Sequence, residues 1–216
     1  MTSVSNVDQP KPAPLPVTVV KATAADAVAV TAVLARAFDD DPFVNWIVAQ
    51  DRARSSRIRS FMGFALKAFA LKHDEVYTTP EFQGAALWNP PGTWRLSAKQ
   101  QVMATPRLAQ ATGWGRLARV AAGLEAVEKH HPHEPHFYLL ALGVEPEMQG
   151  RSIGTQLMQP VLERCDREGI AAYLESSKER NVPLYERNGF SVTRTVDVPS
   201  GGPRVWLMWR EPAKMG

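Results

Sequence analysis

Apolar and polar positions divide this chain into short strand-like runs and longer stretches with a helical rhythm. Residues 17–21, 75–79, 84–88, 136–144, 171–176, about 190–197 and 204–210 read as strands, each bounded by turn formers. Thr23 opens a helix that lasts to about Phe38, and Asp39-Asp-Asp-Pro42 breaks it. Residues 42–49 suit a short helix. Residues 51–71 suit a longer one, with Ile58, Phe61, Met62, Ala65, Leu66 and Phe69 on its inner face. Asn89-Pro-Pro-Gly92 is a firm stop. Residues 97–130 read as helical with interruptions near Pro106 and Gly113–Gly115, and further helices are expected over 152–168 and 181–188. This order of elements predicts an α/β fold: a mixed sheet with helices on both faces and a helical insertion before the fourth strand.

With 216 residues, 44% of them hydrophobic, the chain can bury one sizeable core, so a single domain over 17–216 is expected. Pro10, Pro12, Pro14 and Pro16 set residues 1–16 apart as an extended, mobile tail. No apolar run is long enough for a signal peptide or a membrane span. The single cysteine, Cys165, excludes an internal disulfide and fits a reducing cytoplasm. It continues the four-residue stripe Ile153, Leu157, Val161, so packing explains it better than nucleophilic chemistry; Pro160 should kink that helix. The net charge of +3 is scattered. Its densest run, Arg52, Arg54, Arg57 and Arg59, lacks interleaved aromatics and reads as the wet face of a helix rather than a nucleic-acid patch.

Residues 142–155 carry the chemistry. An apolar strand ends at Val144, Pro146 makes a turn, and small residues then open a helix. Gln149 to Thr155 should gather unpaired backbone N–H groups at the positive end of the helix dipole, a nest suited to phosphate. Gly150 and Gly154 leave room for a ligand. No Lys follows Gly154, which argues against a P-loop, and the glycine spacing does not fit a dinucleotide fingerprint. The bland alternative is a helix that begins with a serine cap and small residues.

Gln149-Gly150-Arg151-Ser152-Ile153-Gly154 resembles the Q/R-x-x-G-x-G/A signature of the GNAT acetyltransferases, with Ser152 where that signature has glycine. Farther on, a strand ending at Glu175 is followed by Asn181-Val-Pro-Leu-Tyr185-Glu-Arg-Asn-Gly189-Phe190. This is similar to the same family's Asn…Tyr…Gly-Phe segment in compressed form, with Asn181 as helix cap and Gly189 past the helix end. The likeness is close over 136–210 and loose over 17–88. Residues 133–144, Gln159-Pro160, 174–176, 183–190 and 198–206 look in addition like the puromycin N-acetyltransferase branch, which implies a bulky amine.

The resemblance implies a mostly antiparallel sheet of about seven strands and the use of acetyl-CoA, without a metal. The cofactor would be held by Leu142, Gly143, Val144, Gln149, Gly150, Arg151, Ser152, Ile153, Gly154, Thr155 and Asn181. Gly143 and Val144 fall where the fourth strand should splay from the fifth, freeing backbone groups for the pantetheine arm; an ordinary strand-end bulge is the alternative. The expected partners are acetyl-CoA and a small-molecule amine, with a homodimer allowed, and neither nucleic acid nor membrane.

Acetyl transfer to an amine needs a base, oxyanion stabilisation and an acid for the departing thiolate. Tyr185 is the acid candidate, its phenol protonated at neutral pH; otherwise it packs on Phe190. Glu175 reads either as the base or as a cap for the loop after its strand. Asp39, Asp40 and Asp41, near Trp46, read either as a solvated run or as a site for a cationic acceptor. His130, His131, His133 and His136 crowd together, but Pro132 and Pro135 spoil the helical spacing of a metal site and no cysteine is near. Three functions remain: a small-molecule N-acetyltransferase, a protein lysine or N-terminal acetyltransferase, and a non-catalytic acyl-CoA-binding module. The insertion at 97–130 favours the first, because it would enclose the acceptor.

Overall fold

The computed structural model describes residues 13–95 and 98–213. Most of the expected tail therefore lies outside the described residues. From Ala13 the chain runs extended along the sheet. The Leu15 N–H donates to the Arg151 carbonyl (3.0 Å) and the Val17 N–H to Gln156 Oε1 (2.9 Å), while Gln156 Nε2 donates to the Leu15 carbonyl (2.8 Å). Leu15, Val17 and Val19 pack on the apolar core, so the packed chain reaches back before the boundary expected at residue 17.

Strands β1 (Val20–Lys21), β2 (Val76–Thr78), β3 (Gly84–Asn89), β4 (His136–Val144), β5 (Ala171–Ser176), β6 (Ser191–Asp197) and β7 (Arg204–Arg210) form one sheet in the order β1-β2-β3-β4-β5-β7-β6. All neighbours are antiparallel except β4 and β5. The helices are α1 (Ala27–Ala37), α2 (Pro42–Ile47), α3 (Arg54–Ala65), α4 (Ala98–Thr112), α5 (Leu117–Glu128), α6 (Ile153–Glu168) and α7 (Val182–Glu186). Every residue of β2 and β3 is buried, as central strands covered on both faces must be.

One side of the sheet packs on α1, α2, α3 and α5 through Leu34, Ile47, Ile58, Leu66 and Val120. The other packs on α6 through Ile153, Leu157, Met158, Val161 and Cys165, the stripe read from the sequence. That helix runs unbroken through Pro160. Of the inner face expected for α3, Ile58, Met62 and Leu66 are buried, while Phe61, Ala65 and Phe69 are half-buried.

The insertion before β4 exists, with a difference. Pro106 was expected to interrupt it, yet α4 continues through it. Pro106 is exposed, so water can satisfy the carbonyl it leaves unpaired, while buried Ala104, Ala109 and Ala111 hold the helix in place. The break comes at Gly113, as the glycine pair suggested. The arginine run is also less solvated than expected. Arg54 pairs with Asp39 and donates to Asn45, and Arg57 pairs with Asp51 and reaches the Gln110 carbonyl, tying α3 to its neighbours.

Candidate active site

The parallel pair β4–β5 runs from His136 opposite Ala171 to Leu139 opposite Leu174, and there it ends. Beyond it β4 stays with β3 as far as Val144, and β5 stays with β7 as far as Ser176. The register of β3 on β4 shifts between Leu87 and Trp88, which leaves Leu140 without a partner. Such a bulge bends its strand, so β4 leaves β5 from Leu140 on, earlier than the Gly143 expected. Backbone groups alternate sides along a strand. The Glu145 N–H donates to the Gln83 carbonyl on the β3 side (2.9 Å), so Leu142 and Val144 turn their N–H and C=O into the gap. Gly143 turns toward β3 instead. A Cβ there would lie 2.8 Å from the Ala37 methyl and 3.0 Å from Leu34 Cδ2, so close packing of α1 requires the glycine.

After β4 comes a single turn, Pro146–Met148, and then α6. The Gln149 N–H donates weakly to the Pro146 carbonyl (3.4 Å), and its Nε2 donates to the Val144 carbonyl (3.2 Å). The backbone N–H groups of Gly150, Arg151, Ser152, Ile153, Gly154 and Thr155 have no partner among the described residues. Gly150 (φ +79°) and Ser152 (φ +66°) both take left-handed conformations, which curl the loop around those donors. Ser152 occupies the N-cap position, but its side chain makes no capping bond, so an ordinary serine cap is not what opens α6. Arg151 Nε is buried and unpartnered. A Cβ on Gly154 would meet Leu142 at 3.5 Å and Leu184 and Val144 at 3.8 Å, so α6, α7 and the end of β4 converge there. Thr155 Oγ1 accepts from Asn188 Nδ2 (3.3 Å), a tie from the turn after α7 that the sequence did not suggest.

Tyr185 on α7 is buried and meets Phe190 edge-on, ring centroids 6.2 Å apart. The packing reading holds for its ring, and its hydroxyl has no partner among the described residues and is free to donate. Burial, and secondarily the charge of Asp41, push its pKa above the usual tyrosine value, so the phenol stays protonated. Asn181 does not cap α7 as expected. It lies in the turn Glu179–Asn181 with helical angles (φ −88°, ψ −17°), whereas capping needs an extended residue. Its side chain has no hydrogen bond among the described residues.

Glu175 does not cap a loop either. Its carboxylate accepts from the Tyr173 hydroxyl (3.0 Å) and the Tyr138 hydroxyl (3.1 Å), and His131 Nδ1 lies 3.4 Å away. His131 in turn stacks on Trp94 and meets His136, Nε2 to Nε2, at 3.0 Å. Burial keeps the pKa of His136 below the usual histidine value. His133 is exposed, and no group of metal-binding side chains occurs among the described residues.

The aspartate run is not a set of free charges. Asp39 pairs with Arg54, and Asp40 pairs with Lys178 and Arg180. Asp41 caps α2 by accepting from the Phe43 and Val44 N–H groups (both 2.9 Å) and takes the Ser177 hydroxyl (2.7 Å) on its other oxygen. Trp46 of α2 donates to the Ser200 carbonyl (3.3 Å), and a Cβ on Gly123 of α5 would lie 2.3 Å from its ring. The insertion, α2 and the β6–β7 turn therefore pack together.

The sequence model of the acetyltransferase (GNAT) family matches residues 75–190. This span runs from β2 through the splayed strands and α7 to the residue before β6. The chain belongs to that family. A fission yeast (Schizosaccharomyces pombe) protein described as an uncharacterised N-acetyltransferase is 28% identical over 147 residues, 61% of this chain and 58% of its own length. The chain thus spans little more than half of that curated relative. A solved structure from Corynebacterium glutamicum, described as histone acetyltransferase HPA2 and related acetyltransferase, is 25% identical. It matches 93% of this chain and 99% of that one, with a TM-score of 0.69. The Drosophila melanogaster polyamine N-acetyltransferase (17% identity, 91% and 100% coverage, TM-score 0.62) shares the fold.

The GNAT cosubstrate, acetyl-CoA, fits the residues present. Unpaired N–H groups at the head of α6, with the orphaned Arg151 Nε beside them, suit a pyrophosphate. Leu142 and Val144 offer strand-edge groups to an extended amide arm. The side chain of Ile153 is buried, so that residue has only its backbone to offer. What the sequence reading missed is the surroundings of Glu175 and Asp41. One signal was available for the first: Tyr173 and Glu175 stand two apart on one strand and so share a face.

Proposed function

We propose that this chain is an acetyl-CoA-dependent N-acetyltransferase that acts on the primary amine of a small molecule by direct attack in a ternary complex. The observation that carries the reading is the opening between β4 and β5, continuous with the unpaired N–H row of Gly150–Thr155 and flanked by the free Tyr185 hydroxyl. In this reading the nest from Gln149 to Thr155 holds the pyrophosphate, Leu142 and Val144 pair with the pantetheine arm, and Asn181 contributes its unengaged amide. The Val144 N–H faces the thioester carbonyl, Tyr185 protonates the departing thiolate, and Glu175 receives the amine proton.

The packed cap of α2, α5 and the β6–β7 turn supports an enclosed acceptor rather than a long peptide groove. Solved structures that share the fold include, by their descriptions, polyamine, agmatine and arylalkylamine N-acetyltransferases, which supports an amine class. The likeness to the puromycin N-acetyltransferase branch makes a bulky amine our preferred acceptor. Cytoplasmic location belongs to the same proposal; no helix among the described residues is long and apolar enough to cross a membrane.

The test is thiol release from acetyl-CoA with purified protein and a panel of polyamines, arylalkylamines, aminonucleosides and lysine or N-terminal peptides. Fastest turnover with a small amine, and its acetylated product by mass spectrometry, is the expected result. Turnover with peptides alone, or with no amine at all, would overturn the reading.

A further inference from the structure

Three titratable side chains lie in one line behind the proposed acceptor site. Glu175, on β5 just past the last residue paired with β4, is the wet end, with 19% of its side chain exposed. His131 and His136 behind it are 3% exposed. We infer that Glu175 and His131 form a proton-sharing dyad, held in one tautomer by His136, that receives the proton of the acceptor amine. This rests on the acetyl-transfer reading above and adds His131 as a positioning residue that acts through Glu175.

Donors and acceptors along the line leave little choice. A carbonyl oxygen only accepts, so the 2.7 Å contact from His136 Nδ1 to the Glu134 carbonyl requires the proton on Nδ1. Neutral His136 then has a bare Nε2. The 3.0 Å contact between the two Nε2 atoms is thus a bond from His131 Nε2–H to His136. That fixes the neutral tautomer of His131 with a bare Nδ1, which lies 3.4 Å from Glu175 Oε1. A lone pair beside a carboxylate is a place where one more proton is needed. The hydroxyls of Tyr138 and Tyr173 both donate to that carboxylate, one to each oxygen. With both oxygens already accepting, the bare Nδ1 of His131 is the place the geometry leaves for an added proton.

The electron count is simple. The substrate ammonium loses one N–H bond, and its pair stays on nitrogen for attack on the thioester carbonyl. The proton passes to Glu175, directly or through one water, and then forms the Nδ1–H bond of His131. It returns to solvent through Glu175 after product leaves, since Glu175 is the exposed member of the line. Aromatic rings surround the pair of histidines: Trp94, Tyr138 and Tyr173 against His131, and Trp209 against His136. The charged or titratable groups that face the line are Glu175, Glu134, Tyr138 and Tyr173, with Arg95 beyond it on the far face of Trp94 and Glu211 on the Trp209 indole.

The decisive experiment is ¹⁵N-histidine NMR on ligand-free protein across a pH series, for the parent and for Glu175→Gln. We expect neutral His131 to carry its proton on Nε2 and to gain an Nδ1 proton on acidification. Its midpoint should be lower in Glu175→Gln than in the parent, because the neighbouring carboxylate is gone. An Nδ1–H neutral tautomer, or a midpoint indifferent to Glu175→Gln, overturns the dyad without any reference to substrate. The second arm uses the amine turned over fastest in the panel. His131→Asn keeps a donor toward Glu175 and cannot titrate. Its kcat should fall about 10²-fold, the low end of a base contribution, with KM nearly unchanged and the acid limb of the kcat profile displaced. An unaltered limb and kcat refute the relay while leaving acetyl transfer intact. Absence of thiol release with every amine refutes the acetyl-transfer reading instead, and the NMR still decides the dyad.

Discussion

Gly143 and Gly154 look alike in the sequence, two glycines in the stretch proposed to hold the cofactor, and the structure predicts opposite outcomes when each becomes alanine. In Gly143→Ala the new methyl would sit 2.8 Å from the Ala37 Cβ and 3.0 Å from Leu34 Cδ2. Carbon atoms are in contact at about 3.5–4.0 Å, so roughly 1 Å must be found. The Ala37 Cβ is fixed to the α1 backbone and cannot swing away, so the whole helix has to move. Overpacking of this kind costs about 1–3 kcal/mol, offset by about 0.5–1 kcal/mol for replacing a strand glycine. The expected net loss is about 1 kcal/mol and at most about 2.5 kcal/mol, a fall in Tm of about 2–4 °C at the central value for a chain of this length. In Gly154→Ala the nearest neighbours, at 3.5 and 3.8 Å, are at ordinary contact distance. The helix gains about 0.5–1 kcal/mol from a better helix former, so Tm should hold or rise. Thermal and urea unfolding of both variants without ligand measures the pair. The packing argument fails if Gly143→Ala melts with the parent, or if Gly154→Ala falls as far.

Gly154→Asp places a negative charge among the N–H groups meant for phosphate. It should abolish the rise in Tm that acetyl-CoA gives the parent through binding to the native state; a preserved shift in a folded variant would put the phosphate site elsewhere. Tyr185→Phe keeps the ring against Phe190 and deletes the free hydroxyl, so turnover should drop about 10²-fold with little change in acetyl-CoA affinity. Because burial raises the Tyr185 pKa above its usual value, the phenol remains a donor as pH rises, and no alkaline limb from it should appear below about pH 10. Equal turnover in the variant would make Tyr185 a packing residue. Ser152→Gly removes the strain of a left-handed serine, about 1–2 kcal/mol, against about 0.4–1 kcal/mol of extra unfolded-chain entropy. Stability should therefore match or slightly exceed the parent's, while Ser152→Val should lose about 1–3 kcal/mol. Equal unfolding midpoints for the valine variant and the parent would contradict the left-handed geometry.

What the sequence displayed was local. The stripe Ile153, Leu157, Val161, Cys165 announced α6 because side-chain spacing on a helix is a property of the chain alone. The limits of β4 and β5 were legible for a similar reason: each is an apolar run cut off by turn formers. The row of free N–H groups at the head of α6 was visible because glycines and small residues at a helix start leave the same backbone donors free in any setting. What stayed hidden depends on contacts between distant segments. Nothing near Gly143 says that α1 will press on it, and nothing near Asp41 says that Ser177 will bond to it from the far side of the fold. Glu175 could be read as base or cap until β4 brought Tyr138 beside Tyr173 and the insertion placed His131 against both. Pro106 misled because its helix-breaking effect is local, whereas the packing that holds α4 is not.

The claim on which the rest depends is that acetyl-CoA lies along β4 with its phosphates at the head of α6. Backbone amide chemical shifts, followed by ¹H–¹⁵N NMR while acetyl-CoA is added, test it most directly. The largest changes should fall on the N–H groups of Gly150 to Thr155, which gain charged acceptors, and on Leu142 and Val144 in the gap. The Gly143 amide, already turned toward β3, should move less. Saturable binding that leaves Gly150–Thr155 unmoved while amides elsewhere shift would contradict the account.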